Sequence, residues 1–354
     1  MRKNYIDNLH WICILLLFFY HTFMVYNTFG ESFYIKGADV QATTYFIMAV
    51  WPWFMPLFFL LSGVNSAYAL KKRTATEFLK ERVLKLLIPL VFGILLLVPA
   101  QTYFAEVFHN GYTGNFFEQY ILFFTKANDL SGYNGGFTPG HLWFILYLFV
   151  ISIVTLPVMN IYQKSAKKIA AYKIPLPVLL LFFLIPGVTQ VILDIGGKSL
   201  GEYLAWFLIG YFYISDDVVQ EKLQKRRFIL LGIAVPFMAI FTFAGEVIVN
   251  YNNILYEFVY FIYVWVTILA ILGFGRQYLD FVNGTTAYLS KSSFGVYIIH
   301  QQWIVITAYF ALMGIGSIPL QMVFIILASV VFTFLTYELF RRIRLTRFMF
   351  GLKK

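Results

Sequence analysis

The chain has 354 residues, of which 60% are hydrophobic and 12% charged, with a mean hydropathy of +0.74. Those proportions rule against a soluble fold, because about twenty apolar residues cross a bilayer and many such runs are present. A net charge of +10 would admit a nucleic-acid partner, but the placement of the basic residues assigns the charge to membrane topology instead, and no nucleic acid is expected.

Hydrophobic periodicity and length place ten spans, near 6–28, 42–70, 83–103, 142–162, 176–194, 200–214, 228–249, 255–275, 292–313 and 319–340. The fold class expected is therefore all-α and polytopic, a single membrane domain with no appended soluble domain. Met1-Arg2-Lys3 resembles the start of a signal peptide, yet no small-residue cleavage site follows the apolar run, so the first helix reads as retained. Counted on alternate sides of the ten spans, 24 of the 27 Lys and Arg fall on the side of the N-terminus, and only Lys36, Lys126 and Lys198 fall opposite. Basic residues favour the cytoplasmic face, so both termini are expected there, in a multi-pass protein of the cell membrane. The single cysteine, Cys13, lies inside the first span and permits no internal disulfide.

The first span, from Tyr5 to Tyr26, carries Asp7, His10 and His21. Eleven residues make about three helical turns, which puts both histidines on one face roughly 16 Å apart along the axis. An ionisable group as deep as His21 marks a functional interior, or else a neutral ring bonded to a neighbouring helix. The second span holds Pro52, Pro56 and the Ser62-Gly63 pair. The prolines predict a kink, and Gly63 predicts close helix packing. The basic stretch that follows has Glu77, Glu81, Lys80, Arg82 and Lys85 at helical spacing, an amphipathic lead-in to the third span. A glycine- and aromatic-rich external segment covers 104–141, and a loop of that length is more often functional than incidental. Within it, 116–125 is too short to span and is expected at the interface or dipping back in. His141 and Trp143 open the fourth span at its external mouth. Pro186-Gly187 breaks the fifth, and the ninth places His300 in its cytoplasmic half.

No metal motif, phosphate-binding loop, dinucleotide fingerprint or nucleophile elbow is present, and no metal is expected. A neutral imidazole can remove a proton from a hydroxyl when something orients it. The cluster from Arg82 to Lys85 would suit a phosphorylated donor such as a coenzyme A thioester, or it simply obeys the positive-inside rule. A transporter of a glycan or small metabolite, built from broken spans around a cavity, is the competing reading. Such a protein needs no donor site.

Five stretches, YIDNLHWICILLLFFYH, MPLFFLLSGVNSAY, FLKERVLKLLIP, GHLWFILYLF and FGVYIIHQ, occur in an order that resembles the integral-membrane acyltransferase family 3, the O-acetyltransferase group. The resemblance runs from the first span to the ninth. It implies transfer of an acyl group, commonly acetyl, from cytoplasmic acetyl-CoA or another acyl-CoA to a hydroxyl of an envelope glycan or lipid-linked acceptor, in contact with membrane lipid. His21 matches the family's histidine in the first span, the general base. Arg82 matches the first arginine of the family's pair before the third span. His10 stands where the family has arginine, and Lys85 stands in place of the second arginine of the pair, which keeps charge but loses the bidentate fork. Asp7, Ser62, His141, Trp143 and His300 are candidates for support or substrate contact.

Overall fold

The computed structural model describes residues 3–30, 33–126, 130–166 and 168–353. Arg2, Lys167 and Lys354, three of the counted basic residues, lie outside them. Regular structure among the described residues is helical, with one isolated bridge between Asp194 and Ser199. The all-α, multi-pass architecture follows directly. Eight helical stretches are long and apolar enough to cross a membrane, and Leu176–Thr189 and Leu200–Ile214 are shorter apolar helices.

In chain order the helices are α1 (Asn4–Met24), α2 (Gln41–Leu70), α3 (Ala75–Arg82), α4 (Ile88–Leu96), α5 (Val98–Asn110), α6 (Phe116–Thr125) and α7 (Trp143–Lys164). There follow α8 (Leu176–Leu180), α9 (Leu184–Thr189), α10 (Leu200–Ile209), α11 (Asp217–Tyr251), α12 (Asn253–Tyr278), α13 (Gly284–Gly314), α14 (Ile318–Arg342) and α15 (Arg344–Met349). A π turn, Val83–Leu87, joins α3 to α4.

Several boundaries differ from the sequence reading for identifiable reasons. The helical stretch that holds the third span starts at α3 and continues through α5 to Asn110, beyond the expected limits of 83 and 103 at both ends. Thr74 and Glu77 cap α3 reciprocally, with Thr74 N–H donating to Glu77 Oε2 at 2.8 Å and Glu77 N–H to Thr74 Oγ1 at 3.2 Å. The irregular turn in the fifth span, Leu181–Phe183, falls just ahead of Pro186, where the missing N–H and the ring disturb the preceding turn. α2 runs unbroken through Pro52 and Pro56. Ala49 O, in the turn loosened by Pro52, accepts from Trp53 Nε1 at 2.8 Å and from the Tyr263 hydroxyl. The stretch 116–125 forms α6, started by an Asn115–Glu118 capping box, with Gln119 and Phe123 buried and Phe117 and Ile121 outward.

The chain divides into two compact units, one of Met1–His10, Met48–Arg82 and Tyr147–Thr286, the other of Trp11–Ile47, Val83–Leu146 and Ala287–Lys354. The first is organised around the α11–α12 hairpin and a close crossing of α2 with α10. A Cβ on Gly63 would sit 2.0 Å from Phe207 O, and one on Gly210 2.0 Å from Leu60 O, so only glycine lets these backbones meet. The start of α1 is tied to the end of α12: Asn8 Nδ2 donates to Leu279 O at 2.6 Å and Phe281 O at 2.8 Å. The second unit gathers the rest of α1, α4 to α6, the entry of α7, and α13 to α15.

Candidate active site

Three histidines from distant parts of the chain meet in the second unit. His21 ends α1, His141 lies in the 3-10 turn Gly140–Leu142 that opens α7, and His300 sits on α13. The His21 and His300 ring centroids are 5.3 Å apart, and those of His300 and His141 5.1 Å. The expectation that put His141 at an external mouth and His300 in the cytoplasmic half is therefore corrected, since rings in contact share one level. Hydropathy places a residue along its own helix but does not show which neighbouring segment reaches down to meet it. His141 is buried because the external segments fold inward around the site: Phe33, Tyr34, Ile35 and Thr138 are all at most 3% exposed.

The hydrogen bonds divide the three rings by availability. A carbonyl oxygen only accepts, so a ring nitrogen facing one carries the hydrogen. His141 Nε2–H donates to Ile298 O at 3.0 Å, and its Nδ1 accepts from Gln101 Nε2 at 3.5 Å. Both of its nitrogens are engaged. His300 Nδ1–H donates to Tyr297 O at 2.6 Å, and its Nε2 is buried without a partner. His21 makes no hydrogen bond to any described residue; its Nδ1 is enclosed, while the ring as a whole is half-buried and keeps part of its surface open. Lone pairs from the three rings do not converge, and no group of three His, Cys, Asp or Glu among the described residues is arranged to hold a metal ion.

Aromatic side chains hold His21 in place. Phe33 stacks on it at 5.6 Å and 18°, and Tyr20 meets it edge-on at 5.2 Å. Phe33 is fixed in turn by His109, whose Nε2–H donates to Phe33 O at 3.1 Å. Tyr34 packs edge-on to Tyr133 at 5.1 Å, and the Tyr297 hydroxyl donates to His141 O. Tyr297 carried a sequence signal that was passed over: it stands three residues before His300, on the same helix face. Phe33, Tyr133 and Gln101 carried none, because only the fold brings them to the histidines.

Arg82, Ser66 and Ser62 build a polar corner in the first unit. Arg82 Nη2 donates to Ser66 Oγ at 2.9 Å, and that hydroxyl donates to Ser62 O at 2.7 Å. The guanidinium lies over the Phe78 ring at 4.4 Å, with Nε enclosed and without a partner. His10 donates Nδ1–H to Ile6 O at 2.8 Å and packs edge-on to Phe58 at 5.7 Å. Asp7 is half-buried on α1. Lys85 is exposed on the π turn in the second unit, and Trp143 is half-buried at the start of α7.

Comparison with known proteins accords with this arrangement of motifs. The family model for the acyltransferase domain of the acyltransferase 3 type matches residues 3–338. Among curated proteins, the chain is 22% identical to the Glucans biosynthesis proteins C of Salmonella heidelberg (strain SL476), Salmonella typhi and Salmonella typhimurium, over 99% of this chain and 94% of each relative. No solved structure is a significant match. The chain belongs to the acyltransferase 3 family and is a multi-pass membrane acyltransferase.

Proposed function

We propose that the protein transfers an acyl group, acetyl in the simplest case, from an acyl-CoA to a hydroxyl of an envelope glycan, with His21 as general base. The observation that carries the reading is the division among the three rings: His141 has both nitrogens occupied, His300 has one, and His21 has neither and keeps an open edge. A hydroxyl is a poor nucleophile at neutral pH, and a positioned base contributes about 10²- to 10⁴-fold in rate. His21 takes the hydroxyl proton as oxygen attacks the thioester carbonyl. The tetrahedral intermediate then collapses with loss of the coenzyme A thiolate, which recovers that proton from the imidazolium. The thioester is already activated, so no covalent enzyme intermediate is required. The names of the Salmonella relatives point to a glucan as the acceptor class.

Arg82, with its enclosed Nε and its guanidinium held by Ser66 and Phe78, is the proposed anchor for donor phosphate. The test is mass spectrometry of envelope glucans from cells expressing the wild type or His21→Ala at equal level. The acetyl mass increment is expected with the wild type and absent with His21→Ala. Normal acylation by the variant would remove His21 from the mechanism.

A further inference from the structure

The hydrogen-bond pattern around His300 has a consequence for His21. Tyr297 O lies one turn earlier on the same helix and holds His300 Nδ1–H at 2.6 Å, so the helix itself fixes this ring's tautomer. In the neutral ring Nε2 then bears a lone pair, and burying a second, unpaired N–H there would be costly. That nitrogen is fully enclosed and has no donor. The His21 ring is in contact with the His300 ring, at 5.3 Å between centroids and 38° between planes, and the enclosed nitrogen of His21, Nδ1, has no acceptor either. The cluster thus contains one buried acceptor without a donor and one buried nitrogen able to donate, on adjacent rings. Native structures rarely leave two such groups unsatisfied side by side.

We propose that His300 is a positioning residue for His21, its Nε2 accepting Nδ1–H of His21 and so fixing His21 in the tautomer whose Nε2 faces the acceptor hydroxyl. The proposal rests on the assignment of His21 as base. The bond is not formed in the structure; catalytic hydrogen bonds commonly tighten only when substrate is bound. His300 then plays toward His21 the part that a buried carboxylate plays toward the histidine of a serine-protease triad, holding the tautomer and the ring orientation. It does so without a second negative charge in an apolar interior. When His21 takes the hydroxyl proton on Nε2, its Nδ1–H remains on the His300 lone pair, and no proton moves between the two rings. His141, with both nitrogens engaged by Ile298 O and Gln101, packs edge-on against His300 at 5.1 Å.

The experiment compares His300→Asn with His300→Gln in membranes containing the full-length protein, following radiolabelled acetyl from acetyl-CoA into glucan. Asparagine keeps a donor near Tyr297 O but places nothing at Nε2, whereas glutamine brings an amide oxygen close to that position. His300→Asn is expected to lower kcat about 10²-fold, with KM for acetyl-CoA within about twofold of wild type, and His300→Gln to recover at least tenfold of that loss. Equal activities for the two variants would overturn the proposal. So would a loss that appears only in KM. An independent readout needs no substitution: ¹⁵N spectra of histidine-labelled protein should show His21 with hydrogen on Nδ1, and hydrogen on Nε2 overturns the proposal. Failure here is separable from failure of the base assignment. An inactive His21→Ala beside equally active His300 variants removes only the positioning role, whereas an active His21→Ala removes the base itself.

Discussion

Arg82 holds two contacts that a lysine could not reproduce together, the bond to Ser66 and the face of Phe78, and it keeps an enclosed Nε without a partner. If that nitrogen meets donor phosphate, Arg82→Ala removes a charge-assisted bond of about 1.5–3 kcal/mol, roughly ten- to a hundredfold in the KM for acetyl-CoA. Ser66→Ala removes only the fixed end of the guanidinium and should change that KM by less than about fivefold. An unchanged KM in Arg82→Ala would leave the cluster with a topological role alone. At this scale the sequence was informative where a residue's type was itself unusual. A histidine inside an apolar run and an arginine before one are visible without a fold. Availability was not visible. His21 is distinguished from His141 and His300 only by which carbonyls and amides happen to face each ring, and those partners lie as much as 157 positions away in the chain. Hydropathy marks the limits of a span but not those of its helix. The polar start of α13, GTTAYLSKSS, is helical but does not look like membrane.

Helices meet closely in the first unit only where glycine permits it. The α2–α10 crossing is set by Gly63 and Gly210, each against a backbone carbonyl that cannot rotate away. Gly63→Ala should therefore force the helices apart and cost about 1–3 kcal/mol. Gly232 lies inside α11 with nothing within 4 Å of its Cβ position, and Gly232→Ala should be neutral or stabilising by up to about 1 kcal/mol, through backbone entropy. Thermal midpoints in detergent read both, and a larger loss from Gly232→Ala than from Gly63→Ala would contradict the crossing. Close packing at Gly63 was legible in the sequence because a small residue stands beside a serine in an apolar run. Its partner was not. Gly210 lies about 150 residues on, in a helix too short for its packing face to be read. Helix existence was similarly easier to read than helix limits: the capping box at Thr74 starts α3 ahead of the limit at 83 that hydropathy marks.

For the molecule as a whole, the question is which face of the membrane each end of the helices reaches. Eight long helices return the chain to its starting side, and the pair formed by 176–189 and 200–214 does not alter this parity. Two crossings or one re-entrant hairpin both leave residues 173 and 222 on one face. The excess of basic residues on that side survives the uncertainty in span number. The three opposing lysines are also weaker determinants than a bare count implies. Lys126 is paired with Glu106 at 2.7 Å and Lys36 with Asp39. Burial holds the Lys198 ammonium below its usual range, with Asp194 pulling the other way. Two of the exceptions are thus compensated and the third is desolvated, which leaves the positive-inside bias nearly unopposed. The bias predicts an orientation with α6 and the segments flanking it outside and the start of α11 in the cytoplasm. Thr113 and Lys225 are exposed positions on these two sides, and the native Cys13 is buried and silent. With an impermeant maleimide, Thr113→Cys should label in intact cells and Lys225→Cys only after the membrane is opened. The reverse pattern would invert the protein, placing Arg82 and Lys85 on the face opposite the cytoplasmic acyl-CoA pool. The donor would then have to be something other than a coenzyme A thioester.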